Sequence, residues 1–400
     1  MNLLPSPIEA SGGVFQLDRE PGRVLSQSLA GSWSASARTG QRDLVVSGPA
    51  GVTDYEDALE NAVGAAQEAL DLIAVQGGPA LKIEGGETSH IVWWTDGKII
   101  LRDVAIEDFK VHISATTGVE DGPGNPISPA VPALPWHESF RYFRISQTTG
   151  DLFDAYRNLY LAVEALLSYI VPMHLNASNA PAEGEGAWVR RALTQLHPVT
   201  VDLRHYATPG AANPVDAVFN DLYAGTRTRI FHSKAGRPIL LPHTTTDRTG
   251  VLESLERIGR LYIDLARSAL SLPRGIGVMT NAGFVMSTNF LGQLVLSDDP
   301  ARAHDSDTVV NSTGGATVPI PTGPPDASHP GITTWAGEAS VPDVLSNIPV
   351  IRRVGLTTPG GLFIVGHHDP ALNIDDVAIL QIQRSVQLVN RNTVRFRYVT

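Results

Sequence analysis

Between residues 53 and 78 apolar side chains return at Leu59, Val63, Ala66, Leu70 and Ile73, the three-and-four spacing of one helix face, until Gly77-Gly78-Pro79 stops it. Thr53 and Glu56 have the spacing of a capping box at its start. The period then shortens. Leu81 and Ile83, Ile91-Val92-Trp93-Trp94, Ile99 and Leu101, and Phe109, Val111 and Ile113 read as three or four antiparallel strands, with a turn at Asp96-Gly97.

A helical period resumes after residue 138. Leu152, Tyr156, Leu159, Val163, Leu166 and Ile170 step by fours and threes until Pro172, and Trp188, Ala192, Leu193 and Leu196 mark a shorter helix before Pro198. Asn213-Pro214 supplies an N-cap and a first-turn proline for a third helix, with Val218, Phe219 and Leu222 on its apolar side. Val251, Leu255, Ile258, Tyr262 and Leu265 define a fourth. From about 276 the period returns to two. Leu380, Ile382, Val386 and Leu388 share one strand face, and Asn390-Arg391-Asn392 then turns the chain into Val394, Phe396 and Tyr398, a C-terminal hairpin. Residues 311–332, with Gly314-Gly315 and the prolines Pro319, Pro321, Pro324, Pro325 and Pro330 at no packing period, read as a long surface loop.

These patterns predict an α+β chain in which a central antiparallel helical bundle is flanked by N- and C-terminal β-rich regions. The divisions fall at 1–118 for an N-terminal α+β domain, 119–136 for a linker, 137–272 for the bundle and 273–400 for the C-terminal β-rich domain. Pro123, Pro126, Pro129, Pro132 and Pro135, at every third residue, give the linker the repeat of a polyproline II helix. It is either a stiff spacer packed on its neighbours or a ligand for an aromatic-lined groove.

Composition narrows the chemistry. With 400 residues, 42% hydrophobic and 18% charged, the chain can bury a core, and no apolar run reaches the length needed to span a bilayer. The N-terminus lacks the basic and apolar regions of a secretory signal, so a mature cytoplasmic protein is expected. The absence of cysteine removes disulfides, thiolate nucleophiles, Cys-ligated zinc and iron–sulfur clusters. A net charge of −11 argues against coating nucleic acid with the whole surface and leaves a local basic pocket open. Phosphate-loop, dinucleotide, His-Glu-x-x-His and Gly-x-Ser-x-Gly motifs are missing. His367-His368-Asp369 could ligate a metal with His304 and Asp305. Neighbouring residues of an extended chain point to opposite faces, however, so a polar turn before Pro370 is the favoured reading, and no metal or cofactor is expected.

One cluster of cations stands out in this acidic chain: Arg227, Arg229 and Lys234, with Thr228 and His232 among them. Arginine forks bind phosphate oxygens and histidine exchanges protons near neutral pH; the same cations at a helix C-terminus also answer its dipole. Arg227-x4-His232 follows Tyr223 and the helix carrying Ala162-Val163-Glu164-Ala165-Leu166-Leu167. Over residues 137–272 this wording resembles the HEPN superfamily, whose hallmark is Arg-x4–6-His near the end of a helix. Phe140-Arg141-Tyr142-Phe143-Arg144 and Phe231-His232-Ser233-Lys234 resemble its ApeA-like and MauJ-like branch.

The resemblance implies a metal-independent endoribonuclease or RNA-binding relative of the stress or phage-defence kind, working as a homodimer in which two Arg–His motifs face each other. Under it, His232 and Arg227 are catalytic: the first exchanges the proton and the second holds the phosphate as the RNA 2′-hydroxyl attacks. Beyond the motif, the charge cluster itself offers Arg229 and Lys234 as auxiliary phosphate contacts and Thr228 as a supporting candidate, while Glu164 is either an orienting carboxylate or, the favoured reading, a bundle-facing carboxylate paired with an arginine. Thr228 stands where active members commonly carry Asn, Asp or His. That departure favours the alternative, a non-catalytic interaction or scaffold protein that dimerises through the same helices.

Overall fold

The computed structural model describes residues 3–5, 7–8, 10–84, 89–109, 119–120, 123, 126–127, 135–149, 151–231, 239–241, 244–272, 281–300, 309–310, 315–328 and 331–388. The N-terminal part runs β1 (Ser11–Gln16), β2 (Leu25–Ser28), β3 (Ser34–Ala37), β4 (Asp43–Gly48), α1 (Tyr55–Val75), β5 (His90–Thr95) and β6 (Ile99–Phe109). A short pair follows, β7 (Val119–Glu120) and β8 (Pro126–Ile127). The helical stretch holds α2 (Ser139–Thr148), α3 (Leu152–Ile170), α4 (Glu185–Leu196), α5 (Pro214–Phe219), α6 (Thr226–Phe231), α7 (Thr245–Leu270) and α8 (Asn281–Thr288). Then come β9 (Leu294–Ser297), β10 (Val309–Val310), β11 (Thr317–Ile320), β12 (Ile332–Ser340), α9 (Val341–Leu345), β13 (Ile351–Thr358), β14 (Gly361–Leu372) and β15 (Ile379–Leu388).

Two sheets organise the chain. The larger has eight strands in the order β12-β15-β6-β5-β1-β4-β3-β2, and the smaller has five in the order β10-β14-β13-β9-β11. Val14, Trp93, Leu101 and Ile382 of the large sheet share one core with Leu296, Val354, Phe363 and Val365 of the small sheet. Strand alternation turns Phe15, Leu44 and Val46 the other way, onto the alanine-rich face of α1. The α1 N-cap is Asp54, whose carboxylate accepts from the Asp57 N–H, and not the Thr53 of the expected capping box.

The expected central antiparallel helical bundle between separate β-rich flanks is corrected by this topology. The fold is α+β, but strands from both sides of the helical stretch enter one sheet. β15 lies parallel to β6, from Ile379 beside Ile100 to Leu388 beside Phe109. Parallel pairing needs a long crossover and leaves no local turn signature, so alternation alone assigned the two strands to different regions. Residues of α3, α4 and α7 share a core that includes Tyr156, Trp188 and Leu255. The short α5 and α6 are interrupted by a π-helical turn at Asn220–Ala224, and among the described residues the extended side-by-side packing is that of α2 on α3 and α3 on α7.

Three local expectations also change. His367-His368-Asp369 lies inside β14, which continues through Pro370; among the described residues β10 pairs with β14 at Leu362 and Phe363, away from the proline. Within the expected loop 311–332, β11 pairs antiparallel with β9, with Pro319 opposite Val295 on an edge strand. In the proline-rich linker, Pro126 pairs with Glu120. The turn at 390–392 and the strand expected after it lie outside the described residues. Among the described residues, no helix is long and apolar enough to cross a membrane.

Candidate functional site

Four segments converge on Arg227. The Asp151 carboxylate caps α3 by accepting from the Asp154 N–H, which fixes the helix that carries Arg157, Tyr160 and Glu164. The π-helical turn is pinned from outside: the Tyr156 hydroxyl donates to the Asp221 carbonyl at 2.6 Å and Arg257 Nε donates to Asp221 Oδ2 at 2.7 Å. Such turns add a residue to a helix and re-aim the side chains beyond the insertion. Here Tyr223 turns toward α4, where Gly186 makes room; a Cβ at 186 would come within 2.8 Å of the tyrosine ring. Thr228 Oγ1 donates to the Tyr223 carbonyl at 2.9 Å and so ties α6 to that turn.

Arg227 projects into the resulting box and is only 16% exposed. Its Nη2 donates to both oxygens of Glu185, at 2.9 and 3.1 Å. Its Cζ lies 4.8 Å from the centre of the Tyr223 ring, 5.2 Å from Tyr160 and 5.3 Å from Phe231, all within cation–π range. Tyr160 donates to Glu185 Oε1 at 2.5 Å. Burial, and then that bond to a carboxylate, raise the Tyr160 pKa far above its ordinary value, so it remains a donor. Glu164 stands beside this pair. Burial, followed by the like charge of Glu185, raises its carboxyl pKa, with Arg227 offsetting part of the effect.

Two further arginines reach the same helix end. Arg157 Nη2 donates to the Ile230 carbonyl at 3.3 Å, and its guanidinium lies 6.0 Å from the Phe231 ring. Arg229 is 41% exposed and has Nη2 3.5 Å from Asp247 Oδ1. The structure therefore brings together Arg227, Thr228 and Glu164 and places Arg229 beside them; His232 and Lys234 lie outside the described residues. Sequence reasoning missed Glu185, Tyr160, Tyr223 and Arg157. The Gly184-Glu185-Gly186 run at the start of α4 was the available sign of a close approach.

A second polar site lies between the sheets. Asp103 falls in a cross-strand row with Ile382, Ile91, Val14 and Val45, and is 3% exposed. Its Oδ2 accepts from Arg384 Nη2 at 2.5 Å and faces His368 Nε2 at 2.9 Å. Arg384 Nη1 also donates to the backbone carbonyls of Asp103 and Gln383, at 2.8 and 2.9 Å. Burial alone raises a carboxyl pKa, but the charge and hydrogen bonds of Arg384 and His368 outweigh it and hold Asp103 well below the usual carboxylate range. A cleft of about 340 Å³ opens beside this trio, lined also by Gln16, Ser89 and Ala105. Of the residues considered as metal ligands, His304 and Asp305 lie outside the described residues. Among the described residues, no three His, Asp or Glu side chains are grouped to hold a metal ion. No protein-family model, curated protein or solved structure matches this chain.

Proposed function

We propose that this chain is a metal-independent endoribonuclease of the HEPN kind, or an RNA-binding relative, working as a cytoplasmic homodimer. The observation that carries the reading is the convergence of Arg157 and Arg227 on Ile230 and Phe231, immediately ahead of His232 in the sequence, on the short helix that also carries Arg229. In the reaction, the RNA 2′-oxygen bonds to the adjacent phosphorus as His232 exchanges the proton. The bond to the 5′-oxygen breaks, and a 2′,3′-cyclic phosphate remains. Arg227, aligned by Glu185, stabilises the charge gained by the phosphoryl oxygens. Arg229 and Lys234 contact flanking phosphates, and Glu164 supports the Glu185–Arg227 pair.

The alternative, a non-catalytic interaction protein that dimerises through its helices, is favoured by a different observation. Each of the three arginines already faces a carboxylate: Arg157 with Asp154, Arg227 with Glu185 and Arg229 with Asp247. A mixed RNA pool incubated with purified protein in EDTA separates the two. Cleavage that leaves cyclic phosphate ends and disappears in His232→Ala supports the nuclease. Wild-type protein that neither cleaves nor binds single-stranded RNA leaves the interaction protein.

A further inference from the structure

We propose that the outward side of α2 and the adjoining end of α3 hold single-stranded RNA, with bases stacked on Trp136 and Tyr169 and phosphates on Arg141 and Arg144. The choice of RNA over DNA rests on the reading above; the arrangement of rings and cations does not. From His137 at the start of α2, Arg141, Arg144 and Thr148 follow at i+4, i+7 and i+11, so they run along one side of the helix, and all three are exposed. The opposite side is held in the helical core. Ser139 and Ser146 are buried there, the Ser139 hydroxyl meets the Tyr262 hydroxyl at 3.0 Å, and the Phe143 ring stacks on that of Tyr262 at 4.6 Å.

Among the described residues, neither Arg141 nor Arg144 meets a carboxylate. That sets them apart from the arginines of the neighbouring helices: Arg157 pairs with Asp154, Arg227 with Glu185, Arg229 with Asp247 and Arg257 with Asp221. In a chain of net charge −11, two unneutralised guanidiniums side by side attract a polyanion, and Glu138 is the one acid from 135 to 149. Aromatic rings stand at the start of the same stripe. Trp136 is 72% exposed, and Tyr169, at the end of α3, is 58% exposed. The ring of His137, next to Trp136 in the chain, meets Tyr169 edge-on at 5.0 Å. Its Nδ1 accepts from the Ser139 N–H at 3.2 Å, which fixes the ring that Tyr169 leans on.

Exposed rings beside unpaired cations suit a single strand, in which each base offers a π-face and each phosphate a charge. A duplex keeps its bases stacked inside and meets only the cations. An anionic bilayer also attracts Trp, Tyr and Arg, but it presents a broad plane that the acidic remainder of the surface opposes, and the apolar side of α2 is already packed on the core. A strand can follow a narrow stripe. α2 and α3 are joined by residues 149–151, pack side by side and touch at His137 and Tyr169, so they run antiparallel. RNA laid along α2 from Trp136 toward Thr148 therefore heads for the end of α3 that carries Arg157, whose Nη2 donates to the Ile230 carbonyl. The stripe leads toward the Arg227 site.

Fluorescence anisotropy of a labelled 2′-O-methyl RNA of about 12 nucleotides, which resists attack by its own 2′-oxygen, titrated with the full chain, tests this. Saturable binding is expected, with log K falling linearly against log salt. Arg141→Ala with Arg144→Ala should weaken it at least tenfold at low salt and reduce the slope by about 1.4, from about 0.7 per phosphate. Trp136→Ala should weaken it at least fivefold with the slope unchanged, because stacking releases no counterions. All three side chains are exposed, so the variants should melt with wild type. A duplex should bind more weakly, and the matching DNA strand no more tightly. No binding by wild type, an unchanged slope in the double variant, full affinity in Trp136→Ala, equal binding of duplex or tighter binding of DNA overturns the proposal. So do phosphatidylserine vesicles that bind wild type and not the double variant, which would assign the face to a membrane. The nuclease reading fails separately: absent cleavage with binding that obeys the three substitutions keeps the α2 face, whereas His232-dependent cleavage with binding indifferent to them removes it.

Discussion

The guanidinium of Arg384 sits 2.5 Å from the carboxylate of Asp103, Nη2 to Oδ2, with the two side chains 1% and 4% exposed. The pair joins β15 to β6 at the parallel seam where the C-terminal strand enters the N-terminal sheet. Removing one member strands the other charge in the interior, at a cost of about 3–5 kcal/mol, whereas replacing both with apolar residues can be neutral. Asp103→Asn should therefore lower the urea midpoint sharply, and Asp103→Asn with Arg384→Met should recover much of the loss. The pH dependence follows from the depressed carboxyl. The unfolded chain binds its proton more readily, so the stabilisation is present above the ordinary Asp pKa, near about 3.9, and is lost as pH falls through the folded value. The deficit of Asp103→Asn should shrink in acid; a deficit independent of pH would sink this account.

Gly366→Ala examines the same pair from the opposite strand. The new methyl would press on a guanidinium already held by the carboxylate and two backbone carbonyls, so the arginine cannot yield cheaply. Overpacking of this kind costs about 1–3 kcal/mol. Equilibrium unfolding should report that loss, and an unchanged midpoint would mean that Arg384 has more room than its neighbours imply.

Parts of this arrangement were legible in the sequence. Leu152–Ile170 carries its apolar face at every helical step, and the structure returns that helix with those bounds. The Asn213 cap was equally local, since its side chain accepts from the Val215 and Asp216 N–H groups. β15 showed an unread sign: Leu380, Ile382, Val386 and Leu388 skip Arg384, which has the same inward parity and is buried. A charge on the apolar face of a strand implies a partner, but nothing local identifies one on β6, far away in the chain. Likewise Arg227 was visible as a cation, but its partner Glu185 arrives through the packing of α4 near a π-helical turn, which has no short-range signature.

Glu164 provides a pH test of the Arg227 cluster. Its pKa is raised by burial and by Glu185, so the folded state keeps the proton over a range where the unfolded chain has lost it. Such a group contributes most below the ordinary Glu value, about 4.3, and its contribution disappears as pH rises through the folded pKa. Glu164→Gln fixes the neutral form. Melting curves should coincide with wild type near about pH 4 and separate toward about pH 7, with the variant melting higher. A gap that stays constant across the range would remove the coupling to Glu185.

Arg227→Lys separates a structural clamp from a catalytic cation. Lysine keeps the charge but not the flat group that lies among Tyr160, Tyr223 and Phe231 and meets both oxygens of Glu185. Loss of those contacts should cost about 1–2 kcal/mol in urea unfolding. Arg227→Ala should cost more, about 3–5 kcal/mol, because Glu185 and Glu164 then share the box with no cation between them. If Arg227 acts on RNA, cleavage by the lysine variant, measured well below its melting temperature, should fall by at least tenfold while the folded fraction stays near unity. If it serves only the fold, activity and folded fraction should decline together as temperature rises. A stable lysine variant with full cleavage would assign the phosphate contact to another cation, with Arg229, the more exposed of the two, next in line.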